Sequence, residues 1–249
     1  MFGNVLHSMY LFRTNGNWRY PASVRALPGK DSRQPPGPEP VSRDAAAAEQ
    51  RRRILEATAE LIAEQGYQEA TIEAIVRRAK VGYKTFYKHY PDKEAAFLAL
   101  LDAAFERGIA SVEGAYKREE GPWPDRIGAA LGALFADVAA NPAVARACLV
   151  EANAAGPEAA KRHERALKRL APLLAPGREL NPRGSTLPES LEETLAGGIA
   201  WVLGQRLMAG EAEKLRGLLP ETIEFVLRPF VGEEEAAKEA GEVADAISA

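Results

Sequence analysis

At 249 residues, 46% apolar and 27% charged, the chain is long enough for one sizeable core or for a small domain beside a larger one. A single cysteine, Cys148, excludes an internal disulfide, and the three widely spaced histidines, His7, His89 and His163, offer no cluster at metal-ligand spacing. The longest uncharged runs, 127–136 and 194–205, fall well below the roughly 20 apolar residues that cross a bilayer.

No metal, cofactor or membrane partner is therefore expected. The opening Met1-Phe2-Gly3-Asn4 lacks the basic segment and apolar run of a secretory signal, so the chain reads as cytoplasmic. The net charge of −3 conceals a gradient: +3 over residues 1–48, +2 over 49–93 and −8 over 94–249. Between positions 77 and 93 the basic residues Arg77, Arg78, Lys80, Lys84, Lys88 and Lys93 face only Asp92. Such local density suits a polyanion even on a chain that is acidic overall.

Residues 1–44 hold six prolines between Pro21 and Pro40 and no clear periodicity, which reads as a disordered leader. Two alternatives stand beside that reading: a basic arm that touches DNA, or an extension ahead of a later start such as Met9. From Ala45 onward the composition favours helices, predicted at 45–65, 72–79, 83–90, 93–118, 124–140, 143–154, 157–171, 188–213 and 220–231. Gly66 suits a left-handed helix end, and Thr71 and Asp92 suit N-caps. The prolines at 124, 142, 157 and 220 suit helix starts. Positions 176–188 read as a long connection, and 232–249 as an acidic tail or frayed helix.

The segment from Ala70 to Phe97 carries the most information. Ile72, Ile75, Val76 and Ala79 share one face of a two-turn helix. After the break Lys80-Val81-Gly82, Phe86 and Tyr90 anchor a second short helix, from which Tyr83, Lys84, Tyr87 and Lys88 project outward. Ile54, Thr58, Leu61 and Ile62 on the preceding helix supply the third wall. Two short helices joined by a tight turn form the arrangement that places a helix in a major groove.

The run of Thr71, Ile75, Ala79, Val81, Thr85, Phe86, Tyr87, Tyr90, Lys93 and Glu94 resembles the N-terminal domain of the tetracycline-repressor (TetR) family over about 45 residues. The resemblance implies an all-α fold: a three-helix helix-turn-helix domain at 45–93, then a helical ligand-binding and dimerisation domain at 94–231. It further implies base contacts from Tyr83, Lys84 and Thr85 and phosphate contacts from Thr71, Tyr87, His89 and Lys93, with Lys88 on the same outward face. Two positions depart from the family pattern. Lys80 stands where glycine is usual in the turn, at a cost on the order of 1 kcal/mol if left-handed. Gly82 replaces the usual Ser or Thr cap.

The rear helices resemble the family's second domain in length, helix count and position. Trp123, Phe135, Cys148, Glu151 and Ala152 are candidate ligand contacts, with Cys148 read as a small buried apolar residue. Leu191, Leu195, Gly198, Trp201 and Val202, followed by Ile223, Val226 and Phe230, form the candidate dimer stripes. The implied partners are a palindromic double-stranded operator, a second copy of the chain, and a small apolar or amphipathic effector that relieves repression. No Ser/His/Asp arrangement, phosphate loop or carboxylate pair suggests an enzyme. A helical protein-interaction module is the other alternative.

Overall fold

The computed structural model describes residues 12–14, 17–19 and 43–248. Within the leader, β1 (Phe12–Thr14) and β2 (Asn17–Arg19) pair antiparallel, with Phe12 opposite Arg19 and Thr14 opposite Asn17. The stretch expected to be disordered or weakly ordered thus holds one short pairing at those six residues. The rest of the leader lies outside the described residues.

The front unit comprises α1 (Arg43–Gln65), α2 (Ile72–Ala79), α3 (Tyr83–His89) and the first turns of α4 (Lys93–Arg118). Ile54 and Ile62 of α1, Ile75 of α2, Phe86 of α3, and Phe97 and Leu101 of α4 are fully buried together. Each such side chain contributes about 1.5–3 kcal/mol of burial. The helix ends follow the predicted chemistry. Gly66 closes α1 at φ 85°, Thr71 Oγ1 accepts from the Ala74 amide at 3.2 Å, and the Asp92 carboxylate accepts from the Ala95 amide at 2.7 Å.

Helix α4 runs unbroken for 26 residues, about 39 Å. Phe97 and Leu101 belong to the front core, Val112 and Tyr116 to the rear one. A boundary at 93–94 would therefore cut through a packed unit.

The rear unit continues with α5 (Trp123–Ala140) and α6 (Pro142–Arg146), then a π-helical turn (Ala147–Glu151), α7 (Ala152–Ala154) and α8 (Pro157–Leu170). The helix expected at 143–154 is thus interrupted by a wider turn, a feature often found at functional positions. Short 3-10 turns lead to α9 (Leu191–Met208), α10 (Leu215–Val231) and α11 (Glu233–Ser248). Arg178 fastens this connection: its guanidinium donates to the Glu192 carboxylate and to the carbonyls of Gly184, Leu187 and Pro188.

Three expectations change here. The helix predicted at 188–213 ends at Met208, with a turn through Gly210 at φ 73°. The next helix begins at Leu215, leaving Pro220 inside it. Burial of Leu215 and Leu219 offsets the roughly 3 kcal/mol that an interior proline costs. The acidic end is a helix packed on α10 and α5. Ala236, Ala240 and Val243 are buried at helical spacing, so alanine, which acidic composition obscures, forms its contact face.

Among the described residues no single helix is long and apolar enough to cross a membrane.

Candidate nucleic-acid interface and effector cavity

The α2–α3 turn has the predicted geometry and shows how the outlying residue is held. Lys80 adopts φ 53°, ψ 46°, and its amide donates to the carbonyls of Arg77 and Val76. Gly82 starts α3 in an extended conformation without a side-chain cap. Phe86 and Tyr90, with ring centroids 6.1 Å apart, anchor α3 from below.

The opposite face of α3 is open. Tyr83 is 49% exposed and Tyr87 53%, while Lys84 and Lys88 are exposed beside them. Among the described residues neither lysine has an ion-pair partner. Two aromatic bodies and two free ammonium groups thus stand on one short helix, with Thr85 half-buried at its edge.

Other residues of the predicted set are already engaged. The Lys93 ammonium donates to the carbonyls of Tyr67 at 2.8 Å and Gln68 at 3.2 Å and lies 4.4 Å from the Tyr67 ring centroid. It therefore locks the α1–α2 loop. His89 Nε2 lies 3.2 Å from Gln50 Oε1 on α1. Burial first, then Arg51 and Lys88, hold its pKa below the ordinary 6.5, so at neutral pH the ring offers a hydrogen bond rather than a charge. Thr71 spends its hydroxyl oxygen on the α2 cap. Arg78 is held bidentate by Glu64 at 2.6 and 2.8 Å, which removes it from the free basic set. Arg77, exposed and outside any pairing among the described residues, remains in it.

The rear unit holds a partly open cavity of about 150 Å³ lined by α4, α5, the π turn, α8 and α9. Its wall is apolar apart from Arg107, Asp137, Asn141, Cys148 and His163. Of the five predicted contacts only Cys148 lines it. Burial pushes the Cys148 thiol up to about 12, so it stays protonated, as its reading as a small apolar residue requires.

The other four are corrections. Trp123 donates through Nε1 to the Leu173 carbonyl at 3.0 Å and packs edge-on against Phe230, with centroids 5.2 Å apart. Phe135 is buried in the rear core, and Ala152 in the front one. Glu151 turns away from the cavity: its Oε2 accepts from the Tyr67 amide at 3.0 Å and so grips the front unit. One apolar face cannot be assigned to pocket or core from spacing alone, because both are apolar. His163 and Phe105, which line the cavity, carried no distinguishing signal.

The dimer candidates divide similarly. Leu195, Ile223, Val226 and Phe230 are buried within the chain, which corrects their assignment to an interface. Leu191, Gly198 and Val202 are half-buried. Trp201 is 64% exposed, and Phe225, which spacing did not select, is 59% exposed. The most apolar stripe of each helix faces its own core, so an intermolecular face must be sought on the second stripe.

A three-helix head with an open short helix, set ahead of a helical unit with an internal cavity, defines a helix-turn-helix protein of the two-domain type. Residues 54–100 match the profile of the bacterial regulatory proteins of the tetR family. The chain is 30% identical over 116 residues to the HTH-type transcriptional repressor KstR of Mycolicibacterium smegmatis, a match spanning 45% of this chain and 56% of that one. A regulatory protein of the tetR family from Rhodococcus RHA1 shares the fold at TM-score 0.61 and 21% identity, over 74% of this chain and 97% of that one. The regulator FadR from Bacillus subtilis, solved in complex with stearoyl-CoA, shares it at TM-score 0.56 and 19% identity, over 71% and 97%. The chain is thus similar to the TetR family in sequence over residues 54–100 and shares the fold of its solved members, while it spans only about half the length of the curated repressor it matches.

Proposed function

We propose that the chain is a one-component transcriptional regulator that binds a palindromic operator as a homodimer and represses until a small apolar or amphipathic molecule enters the rear cavity. The observation that carries this reading is the open face of α3, where Lys84 and Lys88 lie free beside Tyr83 and Tyr87 over buried Phe86. Lys84, near the start of the helix, reads base edges; Lys88, Arg77 and Tyr87 meet phosphates. Two copies present two such helices to half-sites about 34–36 Å apart or a multiple of that spacing.

Support for an effector comes from the apolar cavity and from the stearoyl-CoA bound by the Bacillus subtilis regulator of the same fold. Coupling between cavity and head has two physical connections. Helix α4 passes through both units, and the π turn presents Cys148 to the cavity and Glu151 to the Tyr67 amide. An effector shifts operator affinity only to the extent that it binds one head spacing better than the other.

The test is selection of binding sites from random double-stranded DNA, followed by anisotropy titrations over a range of salt. The reading expects a palindromic consensus, relaxed selectivity in Lys84→Ala, and for Lys88→Ala a uniform loss with a salt slope lower by about 1. Equal affinity for all sequences, or a salt-independent affinity, would overturn it.

A further inference from the structure

Besides the protonated Cys148 thiol, the cavity wall contains one polar side chain that is more than nine-tenths buried, His163, at 9% exposure. Its Nδ1 lies 2.9 Å from the Cys148 carbonyl oxygen. A carbonyl can only accept, so Nδ1 carries the proton of this bond, and in the neutral ring Nε2 is then an acceptor. Phe105, another wall residue, fixes the ring orientation by an edge contact at 6.1 Å and 81°. No described protein group satisfies Nε2.

The remaining polar wall groups are differently disposed. The Asp137 carboxylate lies 3.8 Å from the Arg107 guanidinium and 3.5 Å from the Asn141 amide, which also donates to the Asp137 carbonyl. The Arg107 side chain is 53% exposed, placing this ion pair at the rim, in contact with solvent.

We propose that the cavity selects an apolar molecule bearing a hydroxyl group, and that His163 Nε2 is the acceptor that recognises it. This rests on the effector-binding reading above and narrows it. An acceptor of fixed orientation on an apolar wall favours a guest that brings a donor and disfavours one of equal shape that does not. It gives nothing to a carboxylate, which has no proton to donate at neutral pH. A volume of about 150 Å³ matches cavities that admit a single aromatic ring, which sets the size of the probes.

The experiment measures binding of 4-methylphenol, p-xylene and 4-methylbenzoate to the full chain by calorimetry, without DNA. The first two differ by a hydroxyl in place of a methyl group. The comparison variant is His163→Asn, whose amide can still donate to the Cys148 carbonyl but lacks the Nε2 acceptor. The expected result is that the ratio of phenol to xylene affinity falls about tenfold in the variant. A second reading uses the folded native protein alone: the Nε2 nitrogen resonance of His163 should move with 4-methylphenol and not with p-xylene.

An unchanged ratio with an unmoved resonance would overturn the proposal. So would tightest binding of 4-methylbenzoate, abolished by Arg107→Ala and retained in His163→Asn, since that result assigns recognition to the rim and the effector to acids. Operator binding is measured separately, so failure of the regulator reading is distinguishable from failure of this one.

Discussion

Lys80 sits at φ 53°, ψ 46° in a turn where every L side chain other than glycine is strained. The strain persists because Val81 and Gly82 must turn the chain between two helices whose cores, Ala79 and Phe86, are both buried. Lys80→Gly relieves the strain, on the order of 1 kcal/mol, and loses part of that gain to a more flexible unfolded chain. A net stabilisation of up to about 1 kcal/mol is expected in chemical denaturation; a clear destabilisation would show that the Lys80 side chain supports the head. Glu151 is a second residue whose role is set by one contact. Glu151→Ala leaves the Tyr67 amide without its acceptor and should lower stability by about 1–3 kcal/mol, with Glu151→Gln recovering most of the loss. Equal effects of the two substitutions in denaturant titrations would count against the hydrogen bond.

At the scale of elements, α11 carries its own pH dependence. Glu239 faces Asp125 at the start of α5, with Glu242 and Lys238 on its own helix as the other charged neighbours. Burial first, then repulsion from Asp125 and a hydrogen bond between the two carboxyl groups, raise Glu239 to about 7 from its ordinary 4.5. The folded chain therefore binds this proton more tightly than the unfolded chain does. The stability contributed by the protonated pair is complete below pH 4.5 and declines as pH rises from 4.5 through 7. Hydrogen exchange of the α11 amides should accelerate over that interval, and Glu239→Gln should flatten the dependence. An identical pH profile in the variant would remove the pair as its source.

At the scale of the whole molecule, Trp201 on α9 and Phe225 on α10 are exposed large apolar side chains, which the homodimer proposed above would set against a second copy. Trp201→Glu combined with Phe225→Glu should give a folded monomer in sedimentation, with circular dichroism unchanged and operator affinity greatly reduced. A dimer that survives both substitutions would place the interface elsewhere. Residues of α4 and α9 line the cavity, so the helix leading to the front unit and the helix that carries Trp201 share its wall.

The residues themselves determined the head. Short-range rules decide it: caps at Thr71 and Asp92, a left-handed end at Gly66, and anchors four residues apart at Phe86 and Tyr90 all act within a few positions of one another. The free lysines of α3 were legible for the same reason, since a two-turn helix with a known inner face has a known outer one. Only the tertiary structure decided what the rear helices face. Trp123, Phe135 and Val226 are apolar whether they line a cavity, fill a core or meet a partner, and periodicity reports a face without reporting its occupant. The commitments of Lys93 to the Tyr67 carbonyl, of Glu151 to the Tyr67 amide and of His163 to the Cys148 carbonyl join positions 26, 84 and 15 residues apart. Such pairings arise when packed helices bring distant polar groups into a space where each must find a partner, and no local pattern encodes them.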